Sequence, residues 1–185
     1  MPLLACLLLC TLLPLSATAA TFWTGPTVTF AKAGSVDPGL AANQDRLTDT
    51  VWITRGNAGG LYNAHVETGY DFVGFSSPAG TEWAFGGTIA DGIETLNFLP
   101  WADAVGRQPP GYVGIDGVVH LIAEDIYIDI RFTQWDISCC GGFVYERSSP
   151  PASPPAATQV PLLPWPAGAL LALGLIAVAR RSGKR

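Results

Sequence analysis

Between residues 21 and 149 no stretch repeats its apolar side chains at helical spacing, which excludes a bundle of amphipathic helices. Basic charge is also scarce there. Six Lys or Arg (Lys32, Arg46, Arg55, Arg107, Arg131, Arg147) stand against all fifteen Asp and Glu of the chain, a net charge of −9. A surface of that sign is repelled by phosphate backbones, so nucleic-acid binding is excluded. Histidine is limited to His65 and His120 and no Cys-x-x-Cys occurs, so a four-ligand zinc site lacks ligands. A hydrolytic triad needs a base beside Ser or Cys, and neither histidine lies in a nucleophile elbow. His120 opens a strand-like run and reads as a packed or capping residue.

The first twenty residues lack Lys and Arg altogether, yet they have the other parts of a secretory signal peptide. An apolar run, Leu3 to Leu15, is followed by Ser16-Ala17-Thr18-Ala19-Ala20, small residues that suit cleavage after Ala19 or Ala20. Leu3-Leu4-Ala5-Cys6 looks like a lipobox, but only five residues precede the cysteine, too few for the apolar segment a lipoprotein signal needs. Removal of residues 1–20 takes Cys6 and Cys10 with it and leaves Cys139 and Cys140. Adjacent cysteines rarely pair with each other, because the ring they close strains the peptide bond between them. The expectation is therefore two thiols beside Gly141-Gly142, or one intermolecular disulfide in an oxidising compartment.

After Arg147 the composition changes. Residues 150–159 form a Pro/Ser/Ala linker that favours extended polyproline II backbone and cannot build a core. Residues 160–179 carry no charge and suffice for a single transmembrane helix, with Trp165 placed as an interfacial anchor. The prolines crowd its outer end, where few internal hydrogen bonds are lost. Arg180, Arg181, Lys184 and Arg185 then act as a membrane stop that stays on the cytoplasmic side.

Val160-Pro161-Leu162-Leu163-Pro164-Trp165, the apolar run and the basic end together resemble a C-terminal sorting signal of Gram-negative bacteria. The variant it most resembles has Ile-Pro-Thr-Leu followed shortly by Trp; here Val stands for Ile and Leu for Thr. Relatives of that signal, the PEP type among them, are cut near the motif by exosortase-like membrane proteases. The resemblance implies signal peptidase and an exosortase-like protease as processing partners. It also implies a chain anchored first in the inner membrane and then released to the cell surface or the medium.

The segment between these ends, residues 21–149, has the length of one domain. Alternation is clearest at Asp125–Trp135, which sets Ile126, Ile128, Ile130 and Phe132 on one face and Tyr127, Asp129, Arg131 and Thr133 on the other. Val118–Ile122 precedes it across a short polar break, as in a hairpin. Further strands are expected at Thr27–Phe30, Val51–Arg55, Gly60–Val66, Thr81–Phe85, Glu94–Phe98 and Phe143–Arg147, separated by Gly and Pro. Short strands with frequent turns predict an all-β domain, an antiparallel β-sandwich or jelly roll. Asp45–Arg55, Gly60–Asn63, Ala79–Phe85, His120–Trp135 and Gly141–Arg147 resemble segments of a group of secreted bacterial proteins with the same kind of tail. That resemblance implies location and fold and supplies no catalytic residues.

Three chemistries remain. Glu82, Glu124, Asp125 and Asp129 are the acids from which a glycoside-hydrolysing carboxylate pair would be drawn, although acids on a strand's polar face are usually just solvated. Calcium suits an acidic exported β-domain through loop oxygens, with Asn43, Asp45 and Asp49 as one cluster and Glu124 with Asp125 as another. Trp23, Trp52, Trp83, Trp101 and Trp135 offer faces on which sugars stack, though at least three of the five are expected to fill the core. The sequence thus reads as an exported, non-enzymatic domain for adhesion, matrix assembly or glycan contact. The alternative is a small secreted hydrolase of envelope polysaccharide.

Overall fold

A computed structural model describes residues 19–137 and 139–152. The expected signal peptide falls almost wholly outside them, and the sorting motif, spanning segment and basic end do so entirely. Among the described residues no helix is long and apolar enough to cross a membrane.

The domain is mostly β and its sheets are largely antiparallel. The larger sheet runs β2 (Gly25–Lys32), β9 (Phe143–Ser149), β8 (Ile126–Trp135), β7 (Asp116–Leu121) and β6 (Thr81–Phe85), and β1 (Thr21–Trp23) pairs in parallel with the start of β8. The smaller sheet is β3 (Asp45–Arg46), β4 (Trp52–Arg55) and β5 (Leu61–Asn63). One apolar cluster joins them: Ile53 and Leu61 from the small sheet meet Trp83, Val119, Ile128, Phe132, Phe143 and Tyr145 from the large one. The strand expected to lead this pattern does so, with Ile128, Ile130 and Phe132 buried, Ile126 partly buried, and Arg131 exposed. Four of the five domain tryptophans (Trp23, Trp83, Trp101 and Trp135) are buried.

A buried ion pair ties the two sheets together. Arg147 of β9 donates from Nε to Asp45 Oδ2 at 2.6 Å and from Nη2 to Oδ1 at 2.8 Å, while the Tyr145 hydroxyl donates to Oδ2 at 2.7 Å. Burial and the Asp45 carboxylate push the Tyr145 hydroxyl well above its ordinary range, so it remains a donor.

Three expectations are corrected. Glu94–Phe98 is no strand: Ile93–Thr95 forms a 3-10 turn, and only Leu99 bridges to Trp83. Gly92 enters that turn at φ 92°, a conformation open to glycine, and the turn consumes the residues that alternation alone assigned to a strand. The strand expected over Gly60–Val66 is confined to Leu61–Asn63, because the Asn63 side chain takes over the pairing. Its Oδ1 accepts from the Trp52 and His65 amides, and its Nδ2 donates to the Thr50 and Ala79 carbonyls. Cys139 and Cys140 are joined to each other in a disulfide, within a turn where Cys140 and Gly141 both have positive φ. That left-handed backbone reverses the chain between β8 and β9 and brings the adjacent side chains together.

Candidate binding pocket

At one end of the domain, four connections converge. They are the β4–β5 turn with Gly59-Gly60, the β5–β6 loop carrying Tyr70, Phe72 and Phe75, the single-turn helix α1 (Trp101–Ala104) with its exit at Arg107, and the end of β8 at Trp135. They enclose a cavity of about 340 Å³.

Its walls are aromatic. Trp101 stacks on Trp135 with centroids 5.4 Å apart, and Tyr70 stands edge-on to Trp101, to Phe72 and to Phe75. The rings lie on bare backbone: a Cβ on Gly60 would collide with the Trp101 ring, and one on Gly59, which has φ +81°, would stand 2.6 Å from Phe72. Phe72 is 59% exposed and Ile137 79% exposed, so both form an apolar rim open to solvent. The indole N–H of Trp101 is buried and has no acceptor among the described residues. Such an orphaned donor costs about 1–3 kcal/mol in a folded protein.

The loop that carries the rim is built by its acids. Asp71 accepts from the amides of Val73 and Gly74 and from the Ser76 hydroxyl, each at 2.9 Å, and these bonds, that of Gly74 foremost, hold its carboxyl at about 2. Glu67 closes the base, accepting from the Asn63 and Ala79 amides with Oε2 and from Ser77 with Oε1.

Among the described residues, the charged side chains lining the cavity are two arginines and no carboxylate lines it. Arg55 lies 3.9 Å over the Trp135 ring and donates to the carbonyls of Gly59, Asp136 and Gly142. Its burial pulls the guanidinium below its usual range, partly offset by Asp136, yet a guanidinium stays a cation. Arg107 lies 4.2 Å over Phe75 and reaches Asp103 at 3.4 Å, a pair open to water on both sides. Phe75 and Arg107 both have positive φ, at 55° and 58°. A non-glycine residue held there costs of order 1–3 kcal/mol, and such residues cluster at ligand clamps.

The acids singled out in the sequence lie elsewhere. Asp45 has both oxygens engaged by Arg147 and Tyr145, Asn43 donates to the Asp37 carbonyl, and Asp49 is exposed. Glu124 and Asp125 diverge. Glu124 Oε1 accepts from Thr48 at 2.9 Å and from Thr50, while its Oε2 is buried with no partner among the described residues. Asp125 Oδ1 meets His120 Nε2 at 3.1 Å. Glu82 lies 3.8 Å from the other nitrogen of that imidazole, which stacks on Tyr127 at 4.2 Å, so His120 is packed as expected and separates the two carboxylates. Among the described residues no three His, Cys, Asp or Glu are grouped to hold a metal ion. A larger groove, about 560 Å³, is lined by Trp23, Asp116, Asp129, Arg131 and Glu146 among others. There Asp116 pairs with Arg131 at 3.4 Å, and Asp129 accepts the Ile89 amide at 2.7 Å.

Tyr70, Phe72, Phe75, Arg55 and Arg107 were not singled out in the sequence. Their signal was Tyr70-Asp-Phe-Val-Gly-Phe75, an aromatic-dense run without strand alternation shortly after Gly59-Gly60. No family model matches the chain, and neither a curated protein nor a solved structure matches it.

Proposed function

We propose that the chain is an exported surface or matrix protein whose domain, a β-sandwich in type, binds glycan in the aromatic pocket without transforming it. The observation that carries this reading is a cavity whose solvent-open apolar rim, Phe72 with Ile137, sits over Tyr70, Phe75 and the buried rings of Trp101 and Trp135. A pyranose has one face of C–H bonds, and an aromatic wall with an apolar rim removes that face from water while hydroxyls stay solvated. The sorting tail would display the domain where such polymers occur. The direct test is co-sedimentation of the protein with insoluble envelope polysaccharide. Phe72→Ala is expected to abolish binding with the fold intact, and undiminished binding by that variant counts against the pocket.

One observation favours the hydrolase reading, the groove that sets Asp116, Asp129 and Glu146 near Trp23. The ion pair and amide bond already holding two of those acids weigh against it. Release of new reducing ends from the bound polysaccharide, lost in Asp129→Asn, would restore it. Calcium at Asn43, Asp45 and Asp49 would require Asp45 to leave Arg147, which weighs against that cluster. A chelator is expected to leave its melting temperature unchanged.

A further inference from the structure

We infer that the pocket selects an acidic sugar, a uronate, over its neutral counterpart, with Arg107 reading the carboxylate. The inference rests on the glycan reading above. Its ground is a mismatch of charge. The domain carries nine more acids than bases, yet the cavity's charged lining is Arg55 and Arg107 alone. Arg55 has no carboxylate within salt-bridge range among the described residues and is spent on three backbone carbonyls. It therefore supplies a fixed positive charge to the pocket lining, partly offset by Asp136. Arg107 is different. Its side chain is 59% exposed and its one ion pair, to Asp103, is a long contact between two exposed groups. Exposed pairs of this kind are worth little, so the guanidinium is free to exchange partners.

Its position fits the task. The guanidinium lies 4.2 Å over the Phe75 ring, on a residue whose backbone is held at positive φ. A planar guanidinium offers two parallel N–H donors to a carboxylate, a geometry no hydroxyl reproduces. A uronate stacked by its C–H face on the aromatic wall carries its carboxylate at the ring's edge, within the field of both arginines. The domain's overall negative charge would repel a polyanion elsewhere, so the contact is confined to this end.

The test is titration of the purified full chain, by tryptophan fluorescence, with galacturonate oligosaccharides and with galactose oligosaccharides of equal length. The acidic series is expected to bind about tenfold more tightly at low salt, a gap of one ordinary charge-assisted contact, and the gap should narrow at high salt. Arg107→Gln is expected to erase the difference between the two series, whereas Arg107→Lys keeps part of it. Equal or stronger binding of the neutral series by the unmodified chain overturns this inference and leaves the glycan reading standing. Binding of neither series overturns both.

Discussion

At the residue scale the domain depends on a few side chains whose burial and partners differ from what their chemistry suggests in isolation. Ile128 is fully buried at the centre of the core, and Ile128→Ala is expected to cost about 2–4 kcal/mol through the cavity it leaves, read as a shift in denaturant midpoint. Asp45 was legible as an acid in a loop, and that pattern suggested a metal ligand. What the sequence could not show is that Arg147, 102 positions away, folds back on it. Removing one member of a buried pair strands the other charge, so Asp45→Ala is expected to cost about 3–5 kcal/mol. A loss below about 1 kcal/mol in equilibrium unfolding would mean that the pair is solvated. Asp71 gives a pH test. Its folded carboxyl is held at about 2, below the ordinary 3.8, so its contribution to the loop is complete above that ordinary value and is lost as pH falls from there through about 2. Amide resonances of Val73 and Gly74 should hold steady from pH 6 to pH 4 and shift together only below that. A midpoint near 4 would show that the turn is not formed.

At the scale of elements, the strands that alternate cleanly were legible and the connections were not. β8 announces itself because Ile128, Ile130 and Phe132 share one face while Arg131 faces solvent. β1 and β3 are too short to show a period, and Asn63 ends β5 with a side chain that imitates a strand partner. The pocket is assembled from such connections, so its residues lie scattered from Arg55 to Ile137 and no local spacing marks them. The turn between β8 and β9 shows the same division. Its disulfide joins neighbours and so restrains almost nothing in the unfolded chain. The turn is held instead by Arg55 on the Asp136 and Gly142 carbonyls and by the buried Lys32 on that of Gly141. Reduction with a dithiol is therefore expected to leave the melting temperature nearly unchanged, whereas Arg55→Met lowers it by several degrees. The opposite order in a thermal scan would assign the restraint to the disulfide.

At the scale of the whole molecule, sequence and structure speak about different parts. The structure describes the β domain, whose mostly β, antiparallel character its alternation foretold. The ends, proposed to address the chain to the envelope, are read from sequence alone. If residues 160–185 act as proposed, a reporter fused after Arg185 stays cytoplasmic, and the mature protein loses the residues beyond Val160–Trp165 as it leaves the inner membrane. Replacing Pro161 and Pro164 should block that processing and keep the chain in the membrane. The central claim concerns the domain itself, that its working surface is the aromatic pocket and not the larger groove beside Trp23. The measurement that addresses it most directly is an indole ¹⁵N–¹H spectrum of the protein, recorded as an acidic oligosaccharide is added. The account predicts that the resonances of Trp101 and Trp135 move with the titration while those of Trp23 and Trp52 stay in place. Movement of Trp23 alone, the tryptophan that lines the larger groove, would contradict it.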